Sequence, residues 1–225
     1  QQVPETLIGT AIATALLPTL SEHIASEDHG RFKDTIERSL KVMIALSLPI
    51  TVILSLASLP LIQFAFGFSI EDAQMILWAS QGYLIGLLGH SLVELGVRSF
   101  YARQNARVPM MVSGLGLLMY ISLAIVLISP LGAGGIALAN SLSYSFQGLL
   151  LFILLNRKLP QKFNLGSTLL RSLLSGIGAG LSVWLLLSVL PIPLSPLYLS
   201  IVGMGVGGLI GAIPIWPEIR SLVNL

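Results

Sequence analysis

The sequence predicts an all-α fold, a polytopic membrane bundle of about seven transmembrane helices, and two observations carry that prediction. The first is composition: of 225 residues, 54% are hydrophobic and only 10% charged, and mean hydropathy is +0.88. A water-soluble domain carries about 25% charged residues, because its surface must face water. So sparse a charge set cannot coat a globule of this size, whereas a bilayer solvates apolar surface directly. The second is spacing. Apolar runs recur at roughly the 20-residue length that crosses a hydrocarbon core. The 22 Gly and 12 Pro sit mostly inside or beside those runs, where small residues let helices approach and neighbours satisfy kinked backbone. Cysteine is absent, which removes disulfides and thiolate metal sites from consideration.

In chain order the expected spans are Leu7–Leu20, Ser39–Phe66, Ala73–Val97, Val108–Ile128, Gly134–Leu155, Ser167–Leu190 and Leu197–Trp216. The first is short, as truncation or a break at Pro4 and Pro18 would make it. The second is long and contains Pro49 and Pro60, which predicts a kink or a tilt. Three connections, Gly67–Asp72, Ser129–Ala133 and Pro191–Pro196, carry no Lys or Arg. The others hold all 12 basic residues: Arg31, Lys33, Arg38 and Lys41, then Arg98, Arg103 and Arg107, then Arg157, Lys158, Lys162 and Arg171, and finally Arg220. Seven spans put every one of them on a single side, which the positive-inside rule makes cytoplasmic. The same placement turns a pI near 9.1 into a topology signal and argues against nucleic acid as a partner. The N-terminus then lies outside and the C-terminus inside. No secretory signal precedes the first span, and the chain opens on Gln1 rather than Met. An upstream segment with an odd number of spans is therefore expected, making this chain a piece of a longer polypeptide.

Ser21–Lys41 is the one long polar stretch, with Phe32, Ile36 and Leu40 on one stripe. It reads either as a helix lying on the membrane surface or as the solvated start of the following span. In the sixth and seventh spans Gly176 and Gly180, and Gly203, Gly207 and Gly211, recur every four residues and predict close helix packing. These spans carry almost no other polar side chains, so they could also offer a lipid-facing groove.

Catalytic vocabulary is thin. His23, His29 and His90 lack metal-ligand spacing, and there is no zinc-protease helix, phosphate loop or nucleotide fingerprint. Gly132, Gly134 and Gly135 read as a hairpin turn between spans. No cofactor and no metal are expected, and with no nucleophile–base constellation neither is an enzyme. The strongest polar set is His90, Glu94 and Arg98, whose i, i+4, i+8 spacing puts them on one face of the third span. Ionisable groups in a membrane segment usually face a bundle interior or a wet cavity. They line a substrate path, or Glu94 and Arg98 form an interfacial pair that positions the helix end. Asn140, beside Ser141, Ser143 and Ser145, makes the fifth span locally polar, either for helix contact or as cavity lining.

Three ordered motifs resemble one family. Phe100-Tyr101-Ala102-Arg103-Gln104-Asn105-Ala106-Arg107-Val108-Pro109 is similar to the cytoplasmic F-Y-A-x-x-D-T-R-T-P connection of the MviN/MurJ family, flippases for the lipid-linked peptidoglycan precursor lipid II. Val3-Pro4 and Ala11 through Ser21 resemble that family's eighth span, and Pro130 through Ala139 its turn into the twelfth. The resemblance covers roughly Gln2–Asn140 and marks Tyr101, Arg103, Arg107 and Pro109 as the cytoplasmic motif. It implies one lobe of a two-lobe exporter, residues 1–156, followed by two additional C-terminal helices, 157–225, that form a groove for the lipid tail. It also implies alternating access in the bacterial cytoplasmic (inner) membrane, with lipid II, membrane lipids and the missing N-terminal lobe as partners. The family's cavity arginines fall upstream of this chain, and Gln2 stands where some members have a functional Glu. Some members bind sodium through Asn or Asp in the eleventh span. Tyr120 and Ala124 occupy those places here, with Asn140 at a matching twelfth-span position, so no sodium site is carried over. The substrate-path candidates are thus His90, Glu94, Arg98, Asn140 and Gln2. Alternative readings are another polysaccharide-lipid flippase, a drug exporter of the same superfamily, or a non-transporting membrane scaffold.

Overall fold

A computed structural model describes residues 2–157, 159, 162–189 and 195–222. Among them there are seven long helical passes and a short terminal helix. The first, α1, runs over residues 2–25, and its course loosens into a π-helical turn at Thr6–Thr10. Then follow α2, His29–Phe66; α3, Ile70–Ala102, with a local break at Ile85 and Gly86; α4, 107–131; and α5, 133–156. The last three are α6, Gly166–Ser188; α7, Pro196–Ala212; and α8, Trp216–Leu222. The runs His29–Phe66, Ile70–Ala102, Arg107–Asn156 and Gly166–Ser188 are long and apolar enough to cross a membrane.

The run Arg107–Asn156 is a helical hairpin. It reverses at Gly132, whose φ of 55° and ψ of −133° are non-helical, so the expected five-residue connection shrinks to one glycine. Across the reversal, the Ser143 hydroxyl donates to the Gly116 carbonyl at 2.6 Å. A Cβ on Gly132 would meet nothing; the requirement is backbone conformation alone, in a region reserved for glycine. We expect Gly132→Ala to lower stability by about 1–3 kcal/mol, measured as a fall in the unfolding midpoint in detergent. Gly114→Ala, where open space surrounds the new Cβ, should be neutral or slightly stabilising, since Ala is the better helix former.

Neighbouring passes alternate in direction. Thr51 Oγ1 donates to the Leu84 carbonyl at 3.1 Å and Gln81 Nε2 to that of Ser55 at 3.0 Å, an antiparallel register for α2 and α3. The close pairs Gly86/Ser141, Gly89/Ser145 and Gly96/Leu151 advance together, so α3 and α5 are parallel. The connections 26–28, 103–106 and the segment after Asn156 therefore share one end of the bundle, and they hold or border most of the basic residues.

Two cores result. The larger gathers Leu16 and Leu20 of α1, Phe32, Ile36, Leu40 and Met43 of α2, Leu87, Leu95 and Phe100 of α3, and Leu151 and Leu155 of α5. The smaller joins Ile53 and Ala57 of α2 to Ala179 and Val183 of α6. Burying each such large side chain contributes on the order of 1.5–3 kcal/mol where water is the alternative; against lipid the gain comes from packing instead.

Of the two readings of Ser21–Lys41, the second holds: from His29 on, the stretch is the start of the helix that becomes the following span. Its apolar stripe is not solvated, however, and Phe32, Ile36 and Leu40 do not rest on a membrane surface. They are fully buried because Asp28 caps the helix through the Arg31 amide at 2.9 Å and α2 starts there, well before its span. Glu37 is buried on this first stretch between Lys33 and Lys41, at 2.8 and 2.7 Å. Burial alone would raise its carboxyl, but hydrogen bonds and charge from both lysines outweigh that and hold it below the usual range. Nor is α1 broken at Pro18; it continues to Ala25, as membrane helices can when neighbours surround the freed carbonyl. The last pass ends at Ala212 rather than Trp216, because Pro214 and Pro217 lack the amides that would extend it.

The sixth pass also proves more polar in use than its composition suggests. Ser172 donates to the Ile44 carbonyl at 2.6 Å and Ser175 to that of Gly211 at 2.5 Å. Thr168 donates to Glu218 Oε1 at 3.1 Å, and Arg171 reaches the same oxygen at 3.2 Å. With little hydrophobic drive between helices in lipid, such bonds and the glycine faces hold the seam. Gly180 lies against Val52, and Gly207 against Val183. Connection 191–194 lies outside the described residues.

Candidate functional site

Glu94, Ser113, Tyr120, Asn140, Tyr144 and Gln147 line one pocket of about 420 Å³ between α3, α4 and α5, with Ser143 and apolar neighbours beside them. Helical periodicity explains its walls. Asn140, Tyr144 and Gln147 follow one another at i+4 and i+3 along α5, and Ser113, Gly116 and Tyr120 do so along α4. Gly116 leaves the room that the Gln147 side chain fills.

On α3 the strip His90, Glu94 and Arg98 is present but divides in two. Arg98 NH1 lies 2.6 Å from Glu94 Oε2, with the two side chains 23% and 29% exposed. Arg98 NH2 also donates to Thr14 Oγ1 of α1 at 3.3 Å. The guanidinium is thus held by a carboxylate on its own helix and a hydroxyl on the next. His90 turns the other way. Its Nδ1 lies 3.0 Å from Glu5 Oε1 of α1, its Nε2 3.1 Å from Asn140 Oδ1 of α5, and its ring stacks on Tyr144 with centroids 3.7 Å apart. His90 itself is only 6% exposed.

The structure therefore joins His90, Glu94, Arg98 and Asn140 in one region. The serines near Asn140 serve helix contact: Ser141 donates to the Gly82 carbonyl at 2.6 Å and Ser143 to Gly116. The Gln2 side chain lies outside the described residues. The motif Tyr101, Arg103, Arg107 and Pro109 stands apart, at the α3–α4 turn. There Asn105 Oδ1 accepts from the Val108 amide at 3.4 Å, and Gln104 takes a φ of 53°. Pro109 is buried, Tyr101 and Arg107 are exposed, and the Arg103 guanidinium sits 5.9 Å over the Phe32 ring. Glu5, Tyr144 and Gln147 are not among the residues the sequence singles out, and Thr14 and Tyr120 enter there only through the resemblance. Glu5 had a readable signal, as an isolated carboxylate at the head of an apolar run. Among the described residues no cluster of His, Asp and Glu is arranged to hold a metal ion.

A second concavity runs between α2 and α6. It holds about 450 Å³ and is lined by Leu48, Val52, Leu56, Ile177, Leu181 and Trp184, among others. Gly176 and Gly180 form its floor.

Helical architecture, an apolar exterior and a polar inner wall define a multi-pass membrane protein. Residues 1–201 match the family described as "MurJ: Lipid II flippase MurJ". The chain belongs to this family and is a multi-pass inner-membrane protein. It is 30% identical over 154 residues to a probable lipid II flippase MurJ of Rhizobium meliloti (strain 1021), covering 67% of this chain and 29% of that one. It is 36% identical over 146 residues to the probable lipid II flippase MurJ of Thermotoga maritima, covering 64% of this chain and 30% of the relative. Its fold is that of a solved lipid II flippase MurJ in an inward closed conformation, with TM-score 0.79 and 21% identity over 99% of this chain and 45% of the other. The chain thus spans about a third of the length of the curated relatives it matches.

Proposed function

We propose that this chain is one lobe of a flippase that moves lipid II across the cytoplasmic membrane by alternating access. In this reading residues 1–156 form one wall of a central cavity, an N-terminal lobe supplies the other, and residues 157–225 add two helices that hold the lipid tail. The N-terminus of the chain faces outside and its basic connections face the cytoplasm. No bond is made or broken, so the protein is not an enzyme. What it lowers is the cost of carrying a charged diphosphate–sugar head group through hydrocarbon.

The polar wall carries the proposal. A carboxylate, a guanidinium, a histidine and two tyrosines in an otherwise apolar bundle are costly unless they meet a polar cargo or a wet cavity. The apolar α2–α6 groove adds a surface suited to an isoprenoid chain. Such a protein offers two chemistries to an amphiphile, one for each end.

The test is a depletion rescue. Cells losing their own lipid II flippase receive either the full natural gene or residues 1–225 alone, and lipid II exposed outside the membrane is quantified. The full gene is expected to restore exposure and the segment alone is not. Failure of the full gene, with its insertion in the membrane verified, would move the substrate to another lipid-linked saccharide or a drug. Rescue by the segment alone would overturn the two-lobe reading.

A further inference from the structure

A further cavity lies apart from both the polar wall and the α2–α6 groove. It holds about 310 Å³ between α2, α3 and α5, at the lower end of the range that binding pockets occupy. Two glycines shape it. A Cβ on Gly82 would stand 2.9 Å from the Ala137 Cβ, so α3 touches α5 there, and a Cβ on Gly134 would overlap Trp78 Nε1, so the edge of the indole rests on the α5 backbone. On the other side Gln81 Nε2 donates to the Ser55 carbonyl at 3.0 Å and ties α3 to α2. Ile85, Leu131 and Leu138 complete the lining, and no charged side chain takes part in it. A diphosphate head group therefore has no partner inside.

Two donors in this chamber are incompletely used. An amide NH2 carries two hydrogens, and the Ser55 carbonyl takes one from Gln81. Trp78 Nε1 reaches the Leu131 carbonyl only at 3.5 Å, beyond the roughly 2.7–3.2 Å of a good bond. The two side chains are neighbours at i and i+3 on α3. Neutral donors in an apolar chamber complement ester carbonyls, which only accept. Depth points the same way. Ser55 follows Lys41 by 14 residues and Trp78 precedes Arg98 by 20, which at about 1.5 Å per residue is about 21 and 30 Å from the basic end of the bundle. In a hydrocarbon core about 30 Å thick, the cavity occupies the half away from the basic connections, with Trp78 at the interfacial depth where indoles settle. Trp78 and Ile85 are exposed, so the mouth lies on the surface of the chain.

Charge above the mouth is one-sided. Glu71 precedes Trp78 by seven residues, two turns farther out on the same helix face, and it is exposed. Asp72 beside it accepts from the Ser69 hydroxyl at 2.8 Å. No Lys or Arg lies between Lys41 and Arg98 or between Arg107 and Arg157, so a head group at this end meets a carboxylate and no cation. We propose that this cavity holds one acyl chain and the ester region of a phospholipid whose zwitterionic head group ends in an ammonium, and that the ammonium pairs with Glu71. The chain fills the space beside Ile85 and Leu138, Trp78 and Gln81 donate to the esters, and the ammonium sits about 10 Å above Trp78. The leaflet rests on the orientation proposed above, which makes it the outer one; the pocket and its head-group preference do not.

The test uses the full-length natural protein in nanodiscs of phosphatidylglycerol at low ionic strength, without cargo. A trace of phosphatidylethanolamine or of phosphatidylglycerol, each with a photoreactive diazirine near the end of one acyl chain, is included. After illumination the labelled positions are mapped by mass spectrometry. Labelling of residues 131–138 and Ile85 by the ethanolamine lipid is expected to exceed that by the glycerol lipid about two- to fivefold, the range an exposed ion pair supports. Glu71→Gln should bring the two lipids level. Ile85→Trp, which lays a ring across the mouth, should reduce labelling of 131–138 by both to the level of the exposed α4 face around Ile125. Both altered positions are exposed, so neither variant threatens the fold. Equal labelling by the two lipids in the wild type overturns the proposal, as does a preference that survives Glu71→Gln. Wild-type labelling no stronger than on α4 also overturns it, and is the result if protein covers the mouth. No lipid II is present, so the outcome is independent of cargo: a flippase with an unselective pocket, and a selective pocket in a protein with another cargo, give different pairs of results.

Discussion

Introducing alanine at both Gly86 and Gly89 is expected to separate α3 from α5 and to abolish the folded bundle. A Cβ on Gly86 would stand 2.7 Å from the Ser141 Cα, and one on Gly89 would stand 2.7 Å from the Ser145 amide nitrogen. Both obstacles are backbone, which no rotamer change can move. Overpacking typically costs about 1–3 kcal/mol per site. Here the two positions share one interface, so their effects couple rather than simply add. Displacing α5 would also break the Ser141 bond to Gly82 and pull Asn140 and Tyr144 from His90. The measurement is the fraction of monodisperse protein recovered in mild detergent, together with the midpoint of denaturant unfolding. The double variant should lose at least about 3 kcal/mol or fail to accumulate. Gly178→Ala, where the new carbon meets only Ile210 Cγ2 at an ordinary 3.6 Å, is the matched control and should behave as wild type. Equal loss in the control would mean that helix propensity or insertion, rather than the α3–α5 seam, governs the result.

What the sequence disclosed follows from the range of each signal. The spans were readable because bilayer thickness imposes a length on every apolar run. The Gly132 reversal was readable because a cluster of Pro and Gly between two such runs has few other uses. The i, i+4, i+8 strip on α3 placed His90, Glu94 and Arg98 on one face, and the Glu94–Arg98 pair is local enough to foresee. The partners of His90 were not. They depend on the register between α1, α3 and α5, which glycine contacts such as Gly89 on Ser145 fix and no periodicity reveals. The same limit explains the stripe Phe32, Ile36 and Leu40. Amphipathicity announces an apolar face, yet whether lipid or protein covers it depends on where Leu16, Leu20 and Phe100 arrive from elsewhere. Hydroxyl groups were undervalued for a related reason: Ser172 and Ser175 look like minor interruptions of α6 until their acceptor carbonyls on α2 and α7 are in view.

Under the proposed lipid II function, Arg98→Ala in the full-length natural protein should reduce the appearance of lipid II outside the membrane at least tenfold while leaving protein abundance near wild type. Two interactions end with the guanidinium. Glu94 keeps its charge on a partly buried wall without its partner, and α1 loses the Arg98–Thr14 bond that fixes its middle against α3. A tenfold fall corresponds to about 1.4 kcal/mol on the limiting step, modest beside the 3–5 kcal/mol typical of breaking a fully buried ion pair; the exposure of both side chains justifies the smaller figure. Glu94→Gln should act differently. It leaves Arg98 without its carboxylate partner, one turn along α3 from the pocket wall, so an anionic head group should bind more tightly and leave more slowly. Arg98→Lys keeps the charge but cannot hold a carboxylate and a hydroxyl from one planar fork, and should fall between wild type and alanine. Head-group affinity measured beside transport separates two roles for this pair. If Arg98→Ala weakens binding and Glu94→Gln strengthens it, the pair faces cargo. If both variants lower stability and leave affinity unchanged, the pair only fixes the end of α3, and the polar wall must act through Asn140, Tyr144 and their neighbours instead.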